Sequence, residues 1–366
     1  MNIPEENKKE WEKYRTAEFN DVADILLLLG FSADTEQTHT QGERYLMSGR
    51  KLVLTGHREH DGKKVIIKIS SDPRGIKELE HEHLCRETIK KIDFAYKDIL
   101  LPEEILFAKT GKFTVVVSAF IEEPVPFLLH SREEQFFLTL RAFEMLEGVH
   151  ATASSHTKII RSLWSSWGAA EYLRSFGEFS ENIRKAVPRD TALHGAMAEA
   201  QKFLLAGSGT IERYSGFLTH GDFVPHNLRI VGHDVYLLDH TSLLFGNKYE
   251  SAARFLNYLC VYHPELERWI SEYIRKNRGE DEYLSLRLMR AYKMGFLLQF
   301  YTGSLAQTEG DLHRLAWERI SFWKSVLSAI LNDEFVPVET VLKYKNKRDS
   351  LRSEEEVRRQ KKLHQI

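Results

Sequence analysis

The chain contains 366 residues, 42% of them apolar, which is enough to build two lobes that each have a hydrophobic core. Lysine and arginine total 51 against 53 acidic residues, and this net charge of −2 leaves no bulk positive field for nucleic acid or an anionic membrane. The two cysteines, Cys85 and Cys260, lie far apart in sequence, which argues against a disulfide framework and against a cysteine-based zinc site.

The N-terminal region predicts a soluble protein. Residues 1–14 carry too many charges for a signal peptide, and the apolar run at 25–30 is far too short to span a membrane. We therefore expect a cytoplasmic protein with no membrane or nucleic-acid partner, and the sequence indicates no protein partner. Residues 18–30 have the apolar spacing of a helix, with Gly30 as its C-cap.

Strand patterns follow this helix. Residues 50–69 contain two β-rich runs around Asp61-Gly62, a pair that is typical of a tight hairpin turn. In the second run Val65, Ile67 and Ile69 alternate with other residues, so they share one face. Lys68 therefore lies inside an apolar strand and points to the opposite face.

A helix and two more strands are predicted next. Residues 72–92 have Ile76, Leu79, Leu84 and Ile89 at roughly helical spacing, and Glu80 shares a face with Ile76 and Leu84. The runs at 104–109 and 113–121 then predict strands joined by a turn at Gly111, and prolines at 124 and 126 stop the regular structure.

The second half of the chain has helical patterns from the capping box Ser131-x-x-Glu134 to about residue 331. These patterns predict an α+β, two-lobed protein with a hinge near 122–126. We divide it into a helical leader at 1–43, a β-rich lobe at 44–122, a helical lobe at 123–335 and a charged tail at 336–366. Residues 343–366 are dense in both charge signs and predict a solvated helix or frayed end.

The stretch LTHGDFVPHN at 218–227 places two histidines, a carboxylate and an amide in one loop of the helical half. A zinc site is one interpretation, because His220, His226, His233 and His240 surround Asp222 and Asp239. The sequence has no His-Glu-x-x-His helix and no thiol pair to support it.

Phosphoryl transfer explains the stretch better, because it needs few groups in a fixed order. A carboxylate orients the acceptor hydroxyl, an amide and a second carboxylate hold Mg²⁺, and a lysine binds nucleotide phosphates. The kinase pattern of His, Asp, then Asn five positions later, then Asp after a short hairpin matches His220, Asp222, Asn227 and Asp239. His220 and Asp222 are thus the candidate catalytic residues, and Asn227 and Asp239 the candidate metal ligands.

Candidates for the nucleotide-binding groups come from the β-rich half. Lys68 would pair with a glutamate of the next helix and hold the phosphates. Glu80 is the first choice, with Glu78 and Glu82 less well phased. The tip of the phosphate loop is predicted at Ser48, Gly49 and Arg50, although no G-x-G-x-x-G is present, and the adenine edge is expected at Phe120, Ile121 and Glu122.

With these residues assembled, the chain resembles the aminoglycoside phosphotransferase and choline kinase-like family, the small-molecule branch of the protein-kinase-like fold, from about residue 44 to 330. The family's H-G-D-x-x-x-x-N loop matches His220 to Asn227, and its following I-D segment matches Leu238-Asp239. The resemblance implies ATP- and Mg²⁺-dependent transfer of a γ-phosphoryl group to a hydroxyl. The resemblance also implies that Asp222 is the base of this reaction and that Asn227 and Asp239 bind the metal.

The sequence departs from the family at three places, one of which is the phosphate loop without G-x-G-x-x-G. His240-Thr241-Ser242 follows the metal aspartate where relatives carry a further acidic or aromatic residue. Glu250 is the nearest acidic residue in register for the aspartate with which relatives brace the catalytic loop.

The acceptor cannot be identified from sequence. Gly221 replaces the arginine with which many protein kinases dock a phosphorylated loop, which favours a small-molecule acceptor. A nucleotide-binding protein without transferase activity and a protein Ser/Thr kinase remain as alternatives. Trp164, Trp167, Trp269 and Trp323 could line an acceptor pocket, although tryptophans more often occupy the core.

Overall fold

The structure is a computed structural model that describes residues 3–37, 40–46, 50–94, 99–150 and 156–364. Its strands and helices fall into a β-rich lobe and a helical lobe, as the sequence predicts. Among the described residues, none of the helices combines the length and apolarity needed to cross a bilayer.

The N-terminal lobe is an antiparallel five-stranded sheet flanked by two helices. The strands lie in the order β1-β2-β3-β5-β4. The elements of this lobe are α1 (Ile3–Leu28), β1 (Phe31–Ala33), β2 (Leu52–Arg58), β3 (Lys64–Ser70), α2 (Pro73–Ile89), β4 (Glu104–Thr110) and β5 (Phe113–Ala119). The predicted helix at 18–30 is the second half of α1, which begins much earlier, and β1 was not predicted.

The central strand β3 carries Lys68 as predicted. Val65, Ile67 and Ile69 are completely buried in the core that the sheet shares with α1. Lys68 pairs across the sheet with Val53 of β2 and Val116 of β5, and its side chain projects toward α2. The alternation of apolar residues therefore fixes which face the ammonium group occupies.

Helix α2 begins at a proline behind Asp72, whose carboxylate caps the backbone N–H groups of Arg74 and Gly75. Its buried face contains Leu79 and Glu82, whereas Leu84 is 52% exposed. The helix is thus rotated relative to the prediction, which had placed Glu80 on the inward face with Ile76 and Leu84.

The C-terminal lobe is mainly helical and includes two short antiparallel strand pairs, β6 with β9 and the β7–β8 hairpin. The strands are β6 (Phe217–His220), β7 (Leu228–Val231), β8 (Asp234–Leu237) and β9 (Leu243–Gly246). The helices are α3 (Arg132–His150), α4 (Thr157–Leu163), α5 (Ala169–Ala186), α6 (Thr191–Ala206), α7 (Ser208–Arg213), α8 (Glu250–Tyr262), α9 (Pro264–Arg278), α10 (Glu280–Ser304), α11 (Gly310–Leu331), α12 (Val338–Leu351) and α13 (Glu354–His364).

The charged tail is helical but not simply solvated, because it packs back onto both lobes. Tyr344 and Leu351 of α12 are buried, and so is Glu356 of α13. One Glu356 carboxylate oxygen accepts the backbone N–H of Glu43 at 2.9 Å. Glu43 belongs to a 3₁₀ turn at Gly42–Leu46, just before β2 in the chain. The tail thereby contacts the segment that leads into β2 of the N-terminal lobe.

Candidate active site

The catalytic loop runs from the end of β6 to the start of β7. The Nδ2 group of Asn227 donates to the backbone carbonyl of Asp222 at 2.9 Å and to its Oδ2 at 3.0 Å. The two side chains predicted to act together therefore touch across one turn. The side chain of Asp222 is 39% exposed and borders a cavity, so it is accessible to a ligand.

Asp239 ends the β7–β8 hairpin in a left-handed conformation, with φ of 53°. Its two carboxylate oxygens accept hydrogen bonds from Thr241 Oγ1 at 2.7 Å and from Ser242 Oγ at 2.9 Å. Aspartate tolerates this conformation better than most residues. The Thr-Ser pair that departs from the family pattern therefore orients the carboxylate.

His220 connects the catalytic loop to Asp239. Its ring is fully buried, and Nε2 lies 3.1 Å from the carbonyl oxygen of Leu238 and 3.0 Å from that of Asp239. Carbonyl oxygens only accept, so Nε2 carries the proton. Burial lowers the pKa of His220, which keeps the ring neutral. The geometry gives His220 a positioning role next to Asp222.

Arg254 of α8, which the sequence analysis did not single out, contacts the candidate base directly. Its Nε donates to Asp222 Oδ1 at 2.8 Å. Burial alone would raise the pKa of the Asp222 carboxyl group, but the positive charge of Arg254 outweighs burial and holds that pKa well below its ordinary value. Asp222 is therefore ionised throughout the physiological pH range.

Lys68 pairs with Glu82 and not with Glu80, which corrects the predicted ion pair. The ammonium group of Lys68 contacts Glu82 Oε1, and the Glu82 side chain is only 2% exposed. Glu80 instead pairs with Lys109 at 2.6 Å on the outer surface. The prediction failed because Leu84, taken with Ile76 as the inward face of α2, is exposed, and Ile76 is only partly buried.

The Lys68–Glu82 pair lies near Asp239. Burial would raise the pKa of the Asp239 carboxyl group, but the charge of Lys68, with the hydrogen bond from Thr241 and the charge of Lys51, shifts it below its ordinary value. Lys51 itself pairs with Glu78 at 3.1 Å. Sequence analysis missed Lys51, although it directly follows the predicted phosphate loop.

The predicted phosphate-loop residues are Ser48, Gly49 and Arg50. Ser48 and Gly49 lie outside the described residues. The guanidinium of Arg50 bonds to Glu10 of α1 at 3.0 Å, and the backbone carbonyl of Arg50 accepts from the hydroxyl of Tyr14. These contacts place the Arg50 side chain against α1.

The predicted adenine edge directly follows β5. The ring of Phe120 lies 4.1 Å from Lys64 Nζ, Ile121 is partly buried, and Glu122 is exposed. Glu123 contacts the helical lobe, since its Oε1 accepts the backbone N–H of Ile230 at 3.1 Å. The segment therefore joins the two lobes, as the predicted hinge requires.

Ser251, and not Glu250, braces the catalytic loop. Ser251 Oγ accepts the backbone N–H of His220 at 2.8 Å and exchanges a hydrogen bond of 2.6 Å with the hydroxyl of Thr219. Glu250 instead binds the hydroxyl of Tyr172 and the ammonium group of Lys293. Glu250 was the nearest acidic residue in register, but the bracing position carries a hydroxyl.

A cavity of about 870 Å³ opens in front of Asp222. Its walls include the 3₁₀ turn at Gly42–Leu46, helices α8, α10 and α11, and both tail helices. Trp167 and Trp323 line it, whereas Trp164 is buried in the core and Trp269 lies 39% exposed elsewhere. Its volume suits one drug-sized molecule.

The histidines near the loop do not form a metal cluster. Within the described ranges, no group of three or more His, Cys, Asp or Glu side chains is placed to hold a metal ion. His240 Nε2 lies 2.8 Å from the carbonyl oxygen of Leu237, and burial lowers the pKa of both His226 and His240 to about 4. These rings are neutral, His226 lines the cavity, and His233 is exposed in the β7–β8 turn.

Solved structures share this architecture at low sequence identity. A thermostable mutant of aminoglycoside phosphotransferase APH(4)-Ia, in a ternary complex with ADP and hygromycin B, is 13% identical, with a TM-score of 0.53 over 80% of this chain and 93% of its own. Macrolide 2'-phosphotransferase type I is 12% identical, with a TM-score of 0.57 over 82% and 96%. ADP-bound aminoglycoside phosphotransferase APH(2'')-Ib is 12% identical, with a TM-score of 0.51 over 78% and 92%.

The chain has the fold of these phosphotransferases. The resemblance inferred from sequence is thereby confirmed at the level of the fold, as is the two-lobed kinase-like architecture. No protein-family model and no curated protein matches the sequence.

Proposed function

We propose that this protein is an ATP- and Mg²⁺-dependent phosphotransferase that moves the γ-phosphoryl group of ATP to a hydroxyl of a small molecule. The observation that carries the proposal is the convergence of Asp222, Asn227, Asp239 and the Lys68–Glu82 pair where the two lobes meet. Phosphoryl transfer depends on positioning and charge stabilisation, and these are the groups that it requires.

The ion pair on the sheet side suits nucleotide phosphates. Glu82 is ionised, because the charge of Lys68 outweighs burial and lowers the pKa of the glutamate. It therefore holds the ammonium group in place rather than leaving it to rotate in solvent. We assign Lys68 to the nucleotide phosphates, with Lys51 as a second cation nearby.

The donor set also fits Mg²⁺. This ion prefers oxygen ligands and usually takes only one or two carboxylates from the protein, with phosphates and water completing its shell. The Asp239 carboxylate and the side-chain oxygen of Asn227 would hold it. When bound, the ion neutralises charge on the phosphates and helps align them. Similar structures were solved with ADP or AMP-PNP, which supports nucleotide binding at this fold.

Asp222 is the group that orients the acceptor. Arg254 keeps its carboxylate ionised and fixes one oxygen, while Asn227 bonds the other. The carboxylate can thus accept a hydrogen bond from a hydroxyl in the cavity and take its proton as the phosphoryl group moves. His220 supports this arrangement through the backbone of Asp239.

A small molecule fits the acceptor side better than a protein. The tail helices and the 3₁₀ turn at Gly42–Leu46 wall the cavity, so an acceptor has to enter a recess between them to reach Asp222. Solved proteins of this fold include phosphotransferases described as acting on aminoglycosides and macrolides. These are small hydroxyl compounds.

The test is a screen of hydroxyl-bearing metabolites and antibiotics for transfer of label from γ-labelled ATP. We expect at least one labelled product with the wild type and none above background with Asp222→Asn. MgATP binding without transfer to any compound would identify a nucleotide-binding protein instead. Labelled protein in a lysate, with no labelled small molecule, would identify a protein kinase.

A further inference from the structure

The wall of the acceptor cavity is richer in cations than in anions. Four cations of this wall already have acidic partners, which also line it: Arg254 with Asp222, Lys293 with Glu250, Arg319 with Glu43 and Arg359 with Glu356. The two charges within each pair cancel. The charges that remain therefore decide which ligand the cavity attracts.

Two arginines of the tail remain in excess. Arg348 and Arg352 line the cavity, and the acid near them, Asp349, is 56% exposed and is not part of its wall. Arg348 Nε donates to Asp349 Oδ1 at 2.8 Å, so the two arginines share this one carboxylate. The Asp349 contact to Arg352 measures 3.9 Å, at the limit of an ion pair. Arg352 Nε is buried, and it has no hydrogen-bond partner among the residues that the structure describes. A buried donor of this kind calls for an acceptor.

The contacts of Arg348 hold its guanidinium in place. Arg348 lies in the last turn of α12, and Arg352 is the extended residue that directly follows the end of the helix. The guanidinium of Arg348 lies 5.6 Å from the ring centre of Tyr262 and 6.0 Å from that of Tyr344. A positioned guanidinium matches carboxylate and phosphate groups with paired hydrogen bonds.

The wall also carries several aromatic side chains. Trp167, Tyr258, Phe296, Phe300 and Trp323 are among its residues. Aromatic walls favour a flat or apolar molecular body. Combined with two arginines that share one carboxylate outside the wall, they disfavour a polycationic ligand, because the described residues of the wall include no spare carboxylate that would receive its ammonium groups.

We infer that the acceptor is an anionic hydroxyl compound with a flat or apolar body, whose carboxylate or phosphate binds Arg348 and Arg352. This inference rests on the proposed phosphotransferase function and names its substrate class. The hydroxyl of the acceptor would lie at Asp222 and its negative group at the tail. The tail, which the sequence patterns predicted to be a solvated end, thereby becomes a determinant of specificity.

The experiment uses the full chain and a paired acceptor panel, in which each hydroxyl scaffold is present in an acidic, a neutral and an amine-bearing form. Aryl glucuronides, aryl glucosides and aryl glucosaminides make one such set. We expect kcat/KM to be highest for acidic members. Arg348→Gln/Arg352→Gln should lower kcat/KM for those members by about tenfold or more per arginine and leave neutral members within about twofold.

Arg352→Lys keeps the charge and should restore part of the preference, and Arg189→Gln, at an exposed arginine that does not line the cavity, is the matched control. Retained turnover of neutral acceptors shows that the double variant is folded. The inference is overturned if amine-bearing or neutral members are preferred, or if the double variant loses all forms equally. Absence of transfer to every form, with MgATP still bound, instead refutes the proposed function.

Discussion

The two ends of the active site differ in how their residues are distributed along the chain. At the catalytic end, His220, Asp222, Asn227 and Asp239 come from one short stretch, and a single hairpin brings them together. At the acceptor end, the wall is assembled from positions between Glu43 and Gln360. Under the proposed function, the catalytic loop is thus encoded locally, whereas the choice of acceptor is encoded by tertiary packing.

The largest expected effect comes from the centre of the catalytic end. Asp222→Asn keeps the shape of the side chain and its contact to Arg254 but removes the negative charge. Turnover should fall by about 10²- to 10⁴-fold while the dissociation constant for MgATP stays within about threefold. Steady-state kinetics and calorimetry measure the two quantities.

Asp234→Asn, at an exposed carboxylate of the same hairpin, is the control for Asp222→Asn and should change neither quantity. Equal turnover in Asp222→Asn and the wild type would refute the assignment of Asp222 as the base.

The next effect separates the two glutamates of α2. Glu82→Gln removes the charge that holds Lys68, and a charge-assisted hydrogen bond of about 1.5–3 kcal/mol corresponds to a loss of roughly 10- to 150-fold in kcat/KM for MgATP. Glu80→Gln, on the exposed side of the same helix, should stay within about twofold of the wild type. A larger loss in Glu80→Gln than in Glu82→Gln would support the sequence-based pairing of Lys68 with Glu80 and contradict the structure.

A smaller effect is expected at the brace behind the loop. Ser251→Ala leaves the buried N–H of His220 without its acceptor, at a cost of about 1–3 kcal/mol in the free energy of unfolding. Ser271 offers a matched comparison, because its buried hydroxyl has no hydrogen-bond partner within the described residues, and Ser271→Ala should be neutral or stabilising. Denaturant titration of both variants decides whether the serine hydroxyl supports the loop.

The smallest expected effect is on the pH dependence of stability, and it comes from a histidine outside both ends of the site. Burial, together with Lys345 and Arg132, lowers the pKa of His263 to about 4 from an ordinary value of 6.5. Between these values the unfolded chain binds a proton that the folded chain does not, so stability falls as the pH drops from 6.5 to 4. His263→Asn keeps a residue suited to the start of α9 and should reduce that slope by at most about 1.4 kcal/mol per pH unit.

The pH dependence of His263 also sharpens the comparison between the two ends. The pKa of Asp222 is held low, so acid should reduce activity first through loss of folded protein and not through protonation of the base. Melting curves and initial rates recorded on the same samples from pH 4 to 7 separate the two. An activity loss at pH 6 in fully folded protein would contradict the ionised state assigned to Asp222.

The sequence could predict those parts of the fold that depend on local patterns. Alternation of apolar residues placed Lys68 on its strand face, Asp61-Gly62 marked the β2–β3 hairpin, and the spacing of Asp222 and Asn227 indicated one catalytic loop. Each depends on periodicity or turn chemistry within about ten residues.

The remaining features depend on contacts between distant segments. Successive residues of a helix are rotated by about 100° around its axis, so Glu80 and Glu82 point to different sides of α2. The choice between them depends on which apolar residues face inward, and Ile76 and Leu84 indicated the wrong side. Arg254 and Ser251 lie about 30 residues from the groups they contact. Nothing in a charged tail signals that it will pack over a cavity, since that depends on the 3₁₀ turn more than 300 residues away.

The most direct test of the central claim is a crystal structure with AMP-PNP and Mg²⁺, with Mn²⁺ substituted to locate the ion by anomalous scattering. We predict the ion within about 2.0–2.2 Å of carboxylate and amide oxygens from Asp239 and Asn227, and Lys68 in contact with the phosphates. A nucleotide bound elsewhere, or an ion that contacts neither residue, would contradict the assigned site.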